Sequence, residues 1–213
     1  MPIKILVVDD HEVAREGLAN LLTTPQTQVA GMVSSGADAV ERLATEEFDA
    51  VLLDVRMPQK DGLSTLEEIR SRHKALPVIM LSTYDNPTYI ARAAALGATD
   101  YIVKTTAHVS ISTVLHSLAS GHPPDSDSAL VQIQKKMHEA VDTNKIPDEI
   151  ALTAREAQVL RHIALGLSNK EIARSLGISV ETVKEHVQNV LRKMKANDRT
   201  DAAVRAVRMG LLD

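Results

Sequence analysis

Short apolar runs alternate with segments of helical period along residues 1–121. The runs are predicted strands, and they cover residues 3–8, 27–33, 49–53, 77–82 and 99–103. The segments between them carry apolar residues three and four positions apart and are predicted helices, at 12–22, 37–46, 62–72, 86–96 and 109–119. Strands that alternate with helices through short connections are typical of a parallel sheet covered on both faces. We therefore predict an α/β domain with a doubly wound, five-stranded parallel sheet.

The pattern changes after residue 121. A polar, proline-containing stretch at 122–128 marks a break between domains. One amphipathic helix is predicted at 130–142, because apolar residues recur there at helical spacing. We assign residues 122–149 to a linker and residues 150–213 to a separate, all-α domain.

The all-α domain carries signals for four helices. Thr153–Glu156 and Ser168–Glu171 are capping boxes, which mark the starts of the first two helices. Gly177 can turn the chain tightly before Ser179, which is the predicted N-cap of the third helix. A fourth helix is predicted at 199–209.

Composition excludes several classes of site. The chain has 213 residues, 44% hydrophobic and only 2% aromatic, so its cores are expected to be aliphatic. It contains no cysteine, which excludes disulfides, thiolate metal sites and cysteine nucleophiles. No segment approaches the roughly 20 apolar residues that cross a bilayer, so we expect a cytoplasmic protein that does not associate with membranes.

Charge is distributed unevenly along the chain. The net charge of −4 divides into −5 over residues 1–122, −3 over 123–149 and +4 over 150–213. An acidic front and a basic tail indicate two domains, the second a candidate for nucleic-acid binding. Chance fluctuation in a short segment is the alternative explanation.

Three carboxylates stand where predicted strands end. Asp9 and Asp10 follow the first strand, and Asp54 follows the third. Ligands of open parallel sheets bind outside the carboxyl ends of the strands, where strand order reverses, so we expect these side chains to meet in one pocket. Such a cluster repels itself unless it shares a cation, and Mg²⁺ with a phosphoryl group suits oxygen ligands. Taken singly, each aspartate could instead cap the helix that follows it.

The third predicted helix of the tail has an apolar stripe and an opposite polar face. The polar face offers Thr182, Lys184, Glu185, Gln188, Arg192 and Lys193. Lys184, Glu185 and Gln188 lie three and four residues apart, so they project together and can reach base edges. Two capped helices about a glycine turn form a helix-turn-helix arrangement. The alternative is an ordinary helical bundle with a solvated charged face.

Residues 152–212 resemble the LuxR-type helix-turn-helix domain. The similarity is carried by Gly-Leu-Ser-Asn-Lys-Glu-Ile-Ala-Arg at 166–174 and by Thr-Val-Lys-Glu-His-Val at 182–187. The resemblance implies base-reading positions for Lys184, Glu185 and Gln188. It implies contacts with DNA phosphates for Asn169, Lys170, Thr182 and Lys193, and a dimer face at Ala203, Val204 and Val207. Arg192, on the same polar face, is a further candidate DNA-binding residue. Glu185 departs from the apolar residue common at its position, which leaves the half-site sequence open.

Residues 1–120 resemble a two-component receiver domain, which has a flavodoxin-like fold. The matching residues are Asp9, Asp10, Asp54, Met57-Pro58, Asp61-Gly62, Ser82 and Lys104. The resemblance implies that Asp54 is the phosphoacceptor and that Ser82 and Lys104 contact the phosphoryl group. Mg²⁺ would be held by Asp9, Asp10, Asp54 and the Arg56 carbonyl. Tyr101 would be a switch residue, or else a plain core residue.

A receiver followed by a LuxR-type tail is the organisation of the NarL/FixJ family of response regulators. The resemblance implies a transcription regulator rather than an enzyme, with at most slow self-dephosphorylation. A sensor histidine kinase would phosphorylate Asp54, and dimerisation and interdomain contacts would shift so that the tail binds promoter DNA. Mg²⁺ is the implied cofactor, and the implied partners are the kinase, double-stranded promoter DNA and a second copy of the chain in the active state. RNA polymerase is a candidate further partner.

Other functions stay open at this point. The main alternative is a DNA-binding regulator whose receiver is never phosphorylated, and the intact acidic set argues against it. A phosphohydrolase with an aspartyl-phosphate intermediate is disfavoured because Arg56, rather than an acid, stands two residues after Asp54. A quorum-sensing LuxR regulator is disfavoured because the front lacks an aromatic-lined pocket sequence. We interpret His11 and His186 as solvated polar residues rather than ligands.

Residues that flank the expected pocket carry two further hypotheses. Many receivers have proline after the residue equivalent to Lys104, whereas Thr105 stands here, which leaves the isomer of that peptide bond open. Arg56 and Tyr84 are bulky, and their size suggests that they restrict water and slow the loss of a phosphoryl group.

Overall fold

The computed structural model describes residues 2–119, 122–141, 146–147 and 149–212, with the backbone alone for 106–110 and 119. It divides into two compact units. The first comprises residues 1–86 and 96–131, and the second comprises residues 87–95 and 132–213. None of the described helices combines the length and the apolar character that a membrane crossing demands.

The first unit is a five-stranded parallel sheet with helices. Its strands are β1 (Ile3–Val8), β2 (Thr27–Val33), β3 (Ala50–Asp54), β4 (Val78–Ser82) and β5 (Asp100–Val103). Its helices are α1 (Glu12–Leu22), α2 (Gly36–Thr45), α3 (Gly62–Arg72) and α5 (Ala107–Ala119), the last preceded by a 3₁₀ turn at Lys104–Thr106. The strand order is β2-β1-β3-β4-β5, and all pairs are parallel. This is the doubly wound, flavodoxin-like arrangement that the sequence predicts.

The central strands are apolar throughout because both faces of the sheet are covered. Ile5, Val7, Leu52 and Ile79 are fully buried on one face, where Ile111 of α5 packs on them. In the register of β1 and β3, Val8 lies opposite Leu53. The residues that follow these two positions, Asp9 and Asp54, therefore lie side by side at the carboxyl edge of the sheet, where strand order reverses.

The second unit is all helical. Its helices are α4 (Pro87–Leu96), α6 (Ala129–His138), α7 (Ala154–Ala164), α8 (Asn169–Leu176), α9 (Val180–Met194) and α10 (Arg199–Arg208), with the ends of α4 and α6 falling in the first unit. Both predicted capping boxes are present, at Thr153 and Ser168, and Ser179 caps α9 by accepting from the Thr182 amide. Gly177 ends α8 in the left-handed conformation (φ 64°), where a side chain would be strained.

α4 is the element whose placement the sequence does not anticipate. It is encoded between β4 and β5, yet its residues 87–95 belong to the helical unit. Ala91 and Ala95 are buried in a core that also contains Met137 of α6, Val159 of α7 and Val183 of α9. Small side chains on α4 allow this close approach.

Most predicted element bounds agree with the structure to within about two residues, the usual scatter at helix and strand ends. The linker helix differs more, because α6 ends at His138 rather than at 142, and residue 142 itself lies outside the described residues. The guanidinium of Arg161 donates to the carbonyl oxygens of Lys136 and Glu139, at 2.7 and 2.9 Å. These bonds satisfy carbonyls at the end of α6 and account for its stop.

Candidate functional site

A cluster of charged side chains lies at the carboxyl edge of the sheet. Asp9 is fully buried and Asp54 is 5% exposed. The ammonium of Lys104, which follows β5, lies 2.6 Å from Asp9 Oδ2 and 2.5 Å from Asp54 Oδ1. The ends of three strands therefore bring two carboxylates onto one cation.

Burial and ion pairing shift the pKa values in this cluster in opposite directions. Burial raises the pKa of Asp54 above its ordinary value and the charge of Asp9 adds to the effect, while Lys104 and the Arg56 amide offset part of it. Burial acts to lower the pKa of Lys104, but hydrogen bonds and charges from Asp54 and Asp9 outweigh it, so that this pKa lies above its usual value. Lys104 therefore stays protonated and binds two carboxylates with a single charge.

Asp10 adds a third carboxylate that Lys104 does not neutralise. Its Oδ1 atom is buried and has no hydrogen-bond partner among the described residues. Asp10 lines the same open cleft as Asp54, Arg56 and Lys104. A buried oxygen left without a partner costs free energy, and a divalent cation would satisfy it. The donor set present, carboxylates with a nearby backbone carbonyl, fits Mg²⁺.

The loop after β3 positions Asp54. The amide of Arg56 donates to Asp54 Oδ2 at 2.8 Å, and the amide of Gly62 donates to the Val55 carbonyl at 2.9 Å. A Cβ on residue 62 would lie 1.9 Å from the Asp54 carbonyl oxygen, so that this position requires glycine. Asp61 accepts from the Ser64 amide and caps α3. The sequence Asp61-Gly62 is thus needed to fold the chain closely around the acidic residue.

Ser82 and Tyr101 are connected through Tyr84. The buried Ser82 hydroxyl accepts from the Tyr84 amide at 3.0 Å. Tyr101 is 3% exposed, and its hydroxyl donates to the Tyr84 carbonyl at 3.0 Å. Both side chains therefore hold the same peptide segment, between the acidic cleft and the start of α4.

Arg56 and Tyr84 meet at the rim of the cleft. The guanidinium carbon of Arg56 lies 5.4 Å from the centroid of the Tyr84 ring, within cation–π range. Both residues are exposed and both line the cleft with Asp54. The pair therefore lies at the same cleft as Asp54. The peptide bond between Lys104 and Thr105 is trans, as are all others among the described residues.

In the helical unit, α9 presents its polar face as the sequence predicts. Lys184, Glu185, Gln188 and Arg192 are exposed. No described residue bonds to Glu185 or Gln188, while Arg192 donates to Asn189 on its own helix. On the opposite side, Val183, Val190 and Met194 are buried.

Several of the predicted DNA-contacting residues bond to other residues of the protein. Asn169 accepts from Arg199 at 2.9 Å, and the hydroxyl of Thr182 shares a hydrogen bond with Ser179. Lys193 is half-buried and donates to Glu156 Oε2 at 2.6 Å. Glu156 also accepts from the Thr153 amide in the capping box of α7. Lys193 therefore stabilises the fold, a role that its place on a polar helix face does not indicate. Lys170 is exposed at the start of α8.

The predicted dimer face lies on α10. Val204 and Val207 are 45% and 53% exposed, and Ala203 is half-buried. These side chains are therefore accessible on the helix for which the sequence predicts a dimer face.

Sequence reasoning missed several contacts. His11 was interpreted as a solvated residue, yet its Nδ1 lies 3.0 Å from Asp10 Oδ1 and 3.4 Å from Asp9 Oδ1. Glu171 was recognised only as a capping residue, yet it also accepts from Arg92 of α4 at 2.8 Å. The Asp-Asp-His sequence was a visible signal for the first contact. No local signal pointed to the second, because the two residues are distant in the chain.

Comparison with known proteins gives consistent matches. Residues 5–116 match the family described as the response regulator receiver domain, and residues 151–206 match the luxR family of bacterial regulatory proteins. The transcriptional regulatory protein LnrK of Bacillus subtilis is 36% identical over 98% of both chains. The response regulator protein VraR of Staphylococcus saprophyticus is 34% identical over the full length of both.

Two solved structures cover nearly the whole chain. The response regulator RcsB of Salmonella typhimurium gives a TM-score of 0.58 at 21% identity, over 97% of this chain and 98% of that one. The response regulator ChrA of a heme-sensing two-component system gives 0.52 at 27% identity, over 99% and 98%. At its identity, the likeness to RcsB shows the fold alone.

Proposed function

Because the chain belongs to the NarL/FixJ family of two-component response regulators, with a receiver domain followed by a LuxR-type helix-turn-helix domain, we propose that phosphorylation of Asp54 controls its binding to promoter DNA. The family and the fold predicted from the sequence are confirmed. The observation that carries the proposal is the shared contact of Lys104 with Asp54 and Asp9 in an open cleft.

Asp54 is the phosphoacceptor. One carboxylate oxygen attacks phosphorus of a phosphohistidine on a sensor histidine kinase, the P–N bond breaks, and the imidazole leaves with the electron pair. Asp54 Oδ2 is held by the Arg56 amide and Oδ1 by Lys104, so that the carboxylate is oriented before the donor arrives. Lys104 then pairs with a phosphoryl oxygen, and the Ser82 hydroxyl donates to another.

Mg²⁺ would be held by Asp9, Asp10, Asp54 and the Arg56 carbonyl. When bound, the ion would supply the positive charge that offsets repulsion between carboxylate and phosphoryl oxygens. The support for this assignment is the buried Asp10 Oδ1, which has no hydrogen-bond partner among the described residues. Lys104 cannot serve this oxygen while it binds Asp9 and Asp54.

The tail is a DNA-binding unit that acts as a dimer. α9 enters the major groove of double-stranded promoter DNA, and the exposed Lys184, Glu185 and Gln188 reach base edges. Lys170 and Arg192 contact phosphates. The exposed Val204 and Val207 of α10 pair with those of a second copy, which sets two half-sites about one helical turn apart. One RcsB structure is described as bound to a promoter in the presence of the phosphomimetic BeF3⁻.

α4 packs within the helical unit. Ala91 and Ala95 pack in the core that contains Val183 of α9, and Arg92 donates to the buried Glu171 of α8. The segment that leads into α4 is held by Ser82 and Tyr101 through Tyr84. When Ser82 turns to a phosphoryl group, its bond to the Tyr84 amide is lost and Tyr101 repacks. Phosphorylation thus biases a two-state equilibrium away from the arrangement in which α4 occupies the helical unit.

The experiment that tests phosphorylation control is a DNA-binding titration of the full chain with and without Mg²⁺ plus beryllofluoride. We expect tighter binding with the mimic, and no such gain for Asp54→Ala. Binding that is unchanged by the mimic would leave the DNA-binding role in place and favour a receiver that works without phosphorylation.

The role of α4 has its own test. Arg92→Ala should raise the DNA affinity of the unphosphorylated protein, because it removes an ion pair that holds α4 against a buried carboxylate. Arg42→Ala is the matched control, since Arg42 pairs with Glu46 on the surface of α2. If Arg92→Ala folds normally by circular dichroism and binds DNA no better than the Arg42→Ala protein, α4 does not restrain the tail.

A further inference from the structure

We propose that His11 is a ligand of the metal in the receiver pocket and gives the site a preference for Mn²⁺, Co²⁺ and Ni²⁺ over Mg²⁺. The inference rests on the proposed function, because it adds a nitrogen donor to the carboxylates assigned there. Nδ1 of His11 and carboxylate oxygens of Asp9 and Asp10 all lie within 4.8 Å of one another.

The spacing of these atoms fits neighbouring ligands of one ion. His11 Nδ1 lies 3.0 Å from Asp10 Oδ1 and 3.4 Å from Asp9 Oδ1. In an octahedron with bonds of about 2.1 Å, adjacent ligand atoms are about 3 Å apart. The two separations are therefore close to the distance between adjacent ligand atoms on one cation.

A direct bond between His11 and Asp10 does not account for the arrangement. Asp10 Oδ1 remains without a hydrogen-bond partner although the imidazole nitrogen is close to it, so the donor geometry is not met. His11 is the N-cap residue of α1, yet its side chain makes no capping bond. The ring is thus close to an unsatisfied carboxylate oxygen without serving the helix.

The backbone holds His11 in place while the ring stays accessible. The His11 amide donates to Asp9 Oδ1 at 2.9 Å, and its carbonyl accepts from the Arg15 amide at 3.1 Å. The side chain is 73% exposed. A fixed backbone with an exposed ring lets the imidazole turn toward a cation at little cost in desolvation.

The chemical types of the ligand atoms determine which metal ion the site prefers. Carboxylates, carbonyls and water suit Mg²⁺, whereas imidazole suits later first-row metals, whose affinity rises from Mn²⁺ through Co²⁺ to Ni²⁺. Mg²⁺ also dehydrates reluctantly and gains little from a nitrogen ligand. His11 therefore strengthens binding of the later metals and leaves Mg²⁺ binding almost unaffected.

The test compares metal binding by the full-length parent, His11→Gln, Asp10→Asn and His186→Gln. Calorimetric titrations with Mg²⁺, Mn²⁺ and Ni²⁺ give the affinity ratios, and pulsed electron paramagnetic resonance of the Mn²⁺ complex reports coupling to a directly bound nitrogen. His186 lies on α9, in the helical unit, and serves as the matched histidine control.

We expect His11→Gln to lose the nitrogen coupling and at least about tenfold in Ni²⁺ affinity. About tenfold is the lower end of the loss seen when even an outer-shell partner of a metal ligand is replaced. Its Mg²⁺ affinity should match that of the parent, and His186→Gln should behave as the parent throughout. An unchanged ratio of Ni²⁺ to Mg²⁺ affinity, or nitrogen coupling that persists in His11→Gln, would overturn the role of His11 alone. Asp10→Asn that binds every metal as the parent does would instead overturn the proposed metal site.

Discussion

Protonation of His162 on α7 should destabilise the protein at mildly acidic pH. The side chain is fully buried; its Nδ1 lies 2.8 Å from the Gln158 carbonyl, and its Nε2 lies 2.9 Å from the Ser175 hydroxyl. Because the carbonyl only accepts, Nδ1 carries the proton and Ser175 donates to Nε2. Burial lowers the pKa of His162 from 6.5 to about 4, since a charged ring would lose its hydration.

The magnitude follows from the difference between the folded and unfolded pKa values. A pKa of about 4 in the folded state against 6.5 when unfolded corresponds to about 3 kcal/mol at most. The unfolded chain binds the proton first, so this stability is present above pH 6.5 and is lost as the pH falls toward 4. By pH 5, about 2 kcal/mol of it should be gone.

The assay is urea unfolding of the full chain at pH 7.5 and pH 5, followed by far-ultraviolet circular dichroism. Carboxylates also titrate in this range, so the informative quantity is the difference between the parent and His162→Gln, which cannot protonate. The variant should be less stable at pH 7.5 and should lose about 2 kcal/mol less than the parent on acidification. His186→Gln should lose as much as the parent. A His162→Gln protein with the same pH dependence as the parent would refute the reasoning.

Three further predictions concern DNA and phosphate. Gln188→Ala should relax base preference at one position of the half-site at a cost of about 1–3 kcal/mol, measured by mobility shift on half-sites changed base by base; equal weakening on every sequence would assign Gln188 to the DNA backbone. Arg56→Ala and Tyr84→Ala should each speed the loss of the phosphoryl group, because both replace a bulky side chain that lines the cleft with Asp54, and rates of phosphate release no faster than the parent's would exclude this role. DNA affinity should fall linearly and steeply on a logarithmic salt scale, and a flat dependence would exclude phosphate-driven binding.

The contacts of Lys193 within the protein limit what its substitution can show about DNA binding. A residue that contacts DNA phosphates should, when replaced by alanine, weaken binding to all DNA sites alike. Since Lys193 is paired with the buried Glu156, the substitution also leaves a carboxylate without its cation and destabilises α7 and α9. A loss of DNA affinity in Lys193→Ala therefore counts as a lost phosphate contact only if the variant is as stable as the parent in urea unfolding.

The sequence by itself determined the secondary-structure elements and the placement of the acidic residues at the ends of strands. Apolar runs ended at Asp9 and Asp54, and capping residues such as Thr153 and Ser168 set helix starts within a residue or two. These signals are local, because a cap or a strand period involves residues a few positions apart. The alternation of strands and helices then restricted the topology enough to place the carboxylates together.

Only the tertiary structure decided which charges pair and which unit each helix joins. Lys104 bridges Asp9 and Asp54, Lys193 binds Glu156, and α4 packs in the helical unit through Ala91 and Ala95. His11 shows the same limit, since a histidine beside two aspartates is consistent with either solvation or ligation. In each case the outcome depends on distances between atoms that are far apart in the chain or on the direction of a side chain. Packing determines these distances and directions, and a pattern that spans only a few neighbouring residues does not fix them.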